Sequence, residues 1–377
     1  MRTSLRIDVA IVGAGVSGAL IADAILESGK TVAVFDRRGP AKGSTAASTS
    51  LLEFELDTPL TLLSERIGRE KAARAYWRSA SGVAYLQARI QDLGLRCAFR
   101  PRSVVYLPGN ILDVAGLKRE AAARAAIGLR SRFVESAELR SLAGLSGRGA
   151  VVSPGGGELN PVALVAGLWR SASARGARIF SPVNVVDVQN RKSDVLLTTE
   201  EGLQIRARHV VFATGYEPLK LVQTKRHKVV STWVMATARQ PQNLWPSRCL
   251  IWEAADPYHY LRTTIDGRIV IGGGDEPFSD AEQRDALIPS KVRALERHLK
   301  KLFPSVDSAA EFAWAGSFGT TTTGLPSIGS VPGAPRCFAV LGYGGNGITF
   351  SAIAAQIIQR ALAGIEDPDR DLFAFVG

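Results

Sequence analysis

The residues from Ile7 to Val12 form a run that is apolar but for Asp8, which ends at a cluster of glycines and is followed by a segment that reads as a helix from Val16 to Ser28. A run of that length without polar alternation suits a central strand of a parallel sheet, buried on both faces. Gly29 closes the helix as a C-terminal cap, and Thr31-Val32-Ala33-Val34-Phe35 reads as the next strand. The chain is therefore predicted to open on a strand–helix–strand unit. Gly39 to Thr58 is polar and rich in small residues, as suits a loop wrapping a ligand, and leads into a long helical stretch from Thr61 to Leu93. Apolar alternation predicts strands at 103–107, 229–238, 250–253, 259–263 and 268–272, and helices at 117–126, 161–174, 280–301 and 348–362. Turns such as Asp266-Gly267 make the middle strands antiparallel, so a second lobe on a different sheet is expected.

At 377 residues, one core divided between two lobes is the natural arrangement. The 46 basic residues outnumber the 35 acidic ones, for a formal charge of +11, which raises nucleic acid or an anionic membrane as partners. The basic residues are dispersed in ones and twos, and the densest run, Lys225 to Lys228, carries no aromatics, so neither partner is expected. Cys97, Cys249 and Cys337 are an odd count without metal-ligand spacing, which fits a reducing compartment and excludes a disulfide framework. Four histidines without an HxxxH pair point to no metal. The apolar run near the N-terminus is too short for a membrane span of about 20 residues, so a cytoplasmic protein is expected.

Gly13-Ala14-Gly15-Val16-Ser17-Gly18 stands between the first strand and helix, where a dinucleotide fingerprint belongs. Gly13 permits the tight turn, Gly15 lets the backbone approach a pyrophosphate at the helix N-terminus, and Gly18 lets helix and strand pack closely. Asp36, ending the second strand, is placed to bond a ribose hydroxyl, with Arg37 beside it. FAD, NAD and NADP all use this fold, and Asp36 disfavours the 2′-phosphate of NADP. An apolar strand ending in Ala213-Thr214-Gly215 is of the kind that returns to the cofactor in two-domain flavoproteins. A second glycine spacing, Gly342-Tyr343-Gly344-Gly345-Asn346-Gly347, precedes a helix from Ile348 but lacks the third element of another dinucleotide fold. A helix N-terminus facing the pyrimidine edge of a flavin, where reduced flavin gathers negative charge, explains it better.

These segments, together with Gly43-Ser44-Thr45-Ala46-Ala47-Ser48, Trp314-Ala315-Gly316 and Gly324 to Gly329, resemble the D-amino-acid oxidase superfamily over essentially the whole chain, in the order of its glycine oxidase and D-amino-acid dehydrogenase-like members. The resemblance implies an α/β fold of the glutathione-reductase-like two-lobed kind: a Rossmann-type FAD-binding domain (1–95, 145–222 and 318–377) and a mainly antiparallel substrate domain (96–144 and 223–317). It implies that Gly43 to Ser48 and Leu51-Leu52 run along the flavin, that Val183 touches the adenine, and that Gly342 to Ile348 meets the pyrimidine ring. Family positions for a covalent link read Gly43-Ser44-Thr45 and Thr320 to Thr323, with no His or Cys, so FAD is expected to be non-covalent.

Glycine oxidase-like members hold the substrate carboxylate with two arginines, and the matching positions here read as Phe318 and Gly345. Either the substrate is an amine without an α-carboxylate, or another arginine supplies the clamp. Arg262 is the candidate, since Tyr258, Tyr260 and Arg262 share one strand face, although an outward surface arginine is the alternative. Glu53 and Glu55 are candidates to receive an ammonium, with plain surface carboxylates as the alternative. Trp252, Glu253 and Tyr343 are candidate pocket walls or packing residues. The function expected is oxidation of a CH–NH bond in a small amine or amino acid, with oxygen or another acceptor reoxidising the flavin. Two rivals stand beside it: a flavin-dependent 2-hydroxy acid oxidoreductase, for which His259 would be the base, and an FAD-holding subunit of a larger complex.

Overall fold

A computed structural model describes residues 7–217, 220–222 and 227–375. The basic run at 225–228 lies partly outside them. Its first sheet has eight strands, and its spatial order begins at the edge with Ser327–Val331, then Ala334–Leu341, Gln204–Phe212, Ile7–Val12, Val32–Phe35 and Arg178–Phe180. The five from Ala334–Leu341 onward are mutually parallel. The apolar run at Ile7–Val12 lies inside this sheet, as predicted. One face is covered by the helices Val16–Glu27, Pro161–Ala174 and Gly347–Leu362. Val185 from the strand Val185–Asn190, and Val195 and Leu197 from Val195–Thr199, pack in the apolar cluster on the other side.

The second sheet runs Ala310–Thr320, Lys228–Thr237, Ile269–Glu276, His259–Thr263, Leu250–Glu253, Arg100–Leu107, Ala150–Glu158 and Leu51–Leu52, with Arg132–Val134 attached to Ala150–Glu158. All its pairings are antiparallel except that between Leu250–Glu253 and Arg100–Leu107. Helix Ile288–Leu302 packs on one face through Leu295 and Leu299, and the opposite face of the middle strands carries Tyr106, Trp252, Tyr258 and Tyr260.

Three predicted boundaries move. The stretch 61–93 is two helices, Leu60–Ile67 and Arg69–Asp92, separated by Gly68 at φ +87°, and the stretch 280–301 divides before Pro289 in the first turn of Ile288–Leu302. Ala150–Glu158 is a strand of the second sheet, so 150–158 do not belong with the FAD-binding segment 145–222. Its run Pro154-Gly155-Gly156-Gly157 hid it, because proline and glycine weaken a strand pattern. The glycines are needed there: a Cβ on Gly157 would lie 2.6 Å from the Phe99 ring.

Candidate active site

A continuous cleft enclosing about 1950 Å³, part of it open to solvent, runs from the C-terminal ends of the parallel strands to the aromatic face of the second sheet. At its first end the glycine loop is fixed by backbone geometry. Gly13 sits at φ +111°, and a Cβ there would lie 2.3 Å from the Ala213 carbonyl oxygen; one on Gly18 would lie 2.0 Å from that of Gly13. Helix Val16–Glu27 therefore approaches the strand as closely as backbone allows, with its N-terminus on the cleft. Val16 N donates to Thr45 Oγ1 at 3.1 Å.

Asp36 lines the cleft, and its carboxylate accepts from Ala14 N at 2.7 Å, Arg38 N at 2.8 Å and Gly39 N at 2.6 Å. It thus orders both the glycine loop and the following turn, with about one acceptor position left for a ribose hydroxyl. Arg37 and Arg38 both pair with Glu217 across the mouth, and Val183 lines the same end. Of the remaining predicted cofactor residues, Gly15, Ser17, Gly43, Ser44, Ala47, Ser48, Thr214, Gly215, Gly342, Gly344, Gly345, Gly347 and Ile348 also line the cleft. Ala14 and Gly18 act behind it. Leu52 does not reach it, being fully buried where it pairs with Gly157, and neither does Asn346, whose amide donates to the Glu55 carbonyl.

The cleft fits a large polar cofactor. Ser50 Oγ and Thr214 Oγ1 belong to residues lining it, and both are buried without a hydrogen-bond partner, a state that costs about 1–3 kcal/mol per group unless a ligand supplies the partner. Among the described residues no histidine or cysteine lines it, which agrees with the expectation of a cofactor held without a covalent link.

The far end is lined by Glu53, Asp57, Thr232, Tyr258, Tyr260, Tyr343 and Phe318. Asp57 accepts from Gly345 N at 2.9 Å. A Cβ on Gly345 would lie 2.8 Å from the Tyr258 hydroxyl and 3.0 Å from Asp57 Oδ1, so the space an arginine would need there is filled. Burial, with the negative charges of Glu55 and Asp57 behind it, pushes the Glu53 carboxyl well up. Burial also raises Asp57, against the lowering effect of the Gly345 amide. Asp275, which the sequence reading did not single out, is pushed up to about 7 by burial.

Arg262 is not the predicted clamp. Tyr258 and Tyr260 do face the cleft, but Arg262 lies beyond it, its guanidinium donating to the Thr49 carbonyl and, at 3.1 Å, to that of Thr263. Among the described residues, the cations that line the cleft, Arg37, Arg38 and Lys42, stand at the first end. Glu55 is also elsewhere, paired with buried Arg124 at 3.3 Å. Trp252 stacks on Tyr106 at 4.0 Å as a packing residue. His259 points to the opposite sheet face and bonds Glu253 at 2.9 Å, so it is not the base a hydroxy-acid oxidase would need at the cleft. The histidine nearest the wall is His227, against Gly319 and Gly342.

The sequence profile of the DAO family, FAD dependent oxidoreductase, matches residues 8–361. The chain belongs to that family. Similar proteins include the gamma-glutamylputrescine oxidoreductase of Escherichia coli K12, 23% identical over 99% of this chain and 87% of its own, and the glycine oxidase of Geobacillus kaustophilus, 25% identical over 94% and 92%. The crystal structure of the latter superposes with a TM-score of 0.80 at 22% identity, covering 99% of this chain and 100% of that one. This family member is thus an FAD-dependent oxidoreductase with the two-sheet fold of glycine oxidase, and no helix among its described residues is long and apolar enough to cross a membrane.

Proposed function

We propose that the enzyme oxidises the CH–NH bond of an amine that carries no carboxylate on the reacting carbon. The supporting observation is the make-up of the far end: Phe318 and Gly345 are the residues that the resemblance matches to the carboxylate-binding arginines, Arg262 is engaged elsewhere, and Glu53 and Asp57 occupy the wall. The similarity to a gamma-glutamylputrescine oxidoreductase, an amine oxidoreductase by name, agrees with this.

FAD, held by the Gly13–Gly18 loop, Asp36, the Gly43–Ser48 segment, Ala213–Gly215 and the Gly342–Ile348 loop, supplies the hydride acceptor. The chain supplies binding and proton control. An ammonium entering beside Asp57 meets a carboxylate whose charged form is disfavoured by burial, which places Asp57 to take up the proton whose loss leaves the amine neutral, as hydride transfer requires. The rings of Tyr258 and Tyr260, 5.8 Å apart, wall the carbon chain and exclude water; the imine hydrolyses after release. Oxygen or another acceptor takes the electrons, and the three unpaired, buried cysteines favour a cytoplasmic setting.

Anaerobic addition of amines, D- and L-amino acids and 2-hydroxy acids, followed at the flavin absorption band, tests this. Bleaching by amines without a carboxylate is the expected result; bleaching by amino acids or hydroxy acids alone contradicts it.

A further inference from the structure

Two of the four histidines, far apart in sequence, converge with a glutamate. Glu253 ends the strand Leu250–Glu253, His259 opens the neighbouring strand His259–Thr263, and His298 reaches them from helix Ile288–Leu302. Glu253 Oε2 is 2.9 Å from His259 Nδ1, and Oε1 is 2.8 Å from His298 Nε2. The two imidazoles stack 4.0 Å apart at 20°. One donor atom from each residue lies within 4.8 Å of the other two.

A hydrogen-bonded triad alone leaves something over. Despite its short distance to Glu253, His298 Nε2 is turned so that it makes no hydrogen bond, and it is buried. The three side chains remain 13–22% exposed, enough for water to reach a bound ion.

We propose that Glu253, His259 and His298 form a binding site for a divalent cation of the zinc type. Two imidazole nitrogens and a carboxylate oxygen are a donor set that zinc accepts, with water completing the tetrahedron. The site is separate from the cleft, since none of the three residues lines it. It stands on the reverse face of the strand whose Tyr258 and Tyr260 do line it, and it joins that strand to the covering helix. A bound ion therefore fixes the segment that carries the substrate-facing tyrosines. The inference is independent of the amine assignment.

The test uses FAD-loaded protein without a histidine tag, stripped with a chelator and titrated with zinc chloride by calorimetry, alongside thermal denaturation. One zinc per chain and a higher Tm in zinc are expected, with affinity weaker by at least about tenfold in His298→Ala and in the bulkier His298→Gln, while their flavin content stays unchanged. The absence of saturable binding to the wild-type protein overturns the proposal, as does unchanged binding in both variants.

Discussion

The two ends of the cleft are built from different materials. At the first end the decisive groups are backbone: the Gly13 turn, the close approach at Gly18 and the N-terminus of helix Val16–Glu27. At the far end they are side chains drawn from many elements: Glu53, Asp57, Thr232, Tyr258, Tyr260 and Phe318. Charge follows the same division, with Arg37, Arg38 and Lys42 at the first end and buried carboxylates at the other. A cofactor common to a whole family is met by backbone, which any sequence with glycines in the right places can supply. A substrate peculiar to one member is met by replaceable side chains.

The comparison breaks most severely at Gly18. A Cβ there collides with the Gly13 carbonyl at 2.0 Å, so Gly18→Val is expected to yield protein without flavin, read from the ratio of flavin to protein absorbance. Asp57→Asn keeps shape and removes the proton acceptor. Charged hydrogen bonds contribute about 1.5–3 kcal/mol, so kcat/KM for the amine is expected to fall about ten- to a hundredfold with flavin content unchanged.

A smaller effect concerns stability. Asp275 goes from an ordinary 3.8 to about 7 on folding, so the native state binds the extra proton and stability declines as pH rises from about 4 to about 7. Asp275→Asn is expected to flatten that decline in Tm measured across this interval. Glu53 and Asp57, raised in the same direction, preserve part of the slope. The smallest change is expected for Arg262→Gln. Its hydrogen bonds go to the Thr49 and Thr263 carbonyls, so Tm falls while KM for the amine stays within about twofold, less than the loss of one net hydrogen bond to substrate would cause.

The first end was legible in the sequence because its requirements are local. Gly13, Gly15 and Gly18 are contiguous with the strand and helix they serve, and the run Ile7–Val12 announces a strand buried on both faces. The far end was legible only in part. Strand alternation placed Tyr258 and Tyr260 on the cleft face correctly, but could not tell how far along the strand the cleft extends, and Arg262 falls beyond it. Asp57 and Asp275 gain their character from burial by distant segments, which no local pattern records. The same holds for Glu253, His259 and His298, which a helix crossing a sheet brings together. The glycine-rich strand Ala150–Glu158 was missed because the close packing it permits requires residues that weaken a strand signal.

The claim that the far end recognises a cation rather than a carboxylate is tested most directly with a matched pair. Cadaverine and lysine share a carbon chain and differ only by the α-carboxylate, and the rate of anaerobic flavin reduction is compared at equal concentrations. Faster reduction by the diamine, with the preference diminished in Asp57→Asn, is the result expected. Faster reduction by the amino acid would mean that a carboxylate is bound after all, and would contradict the account.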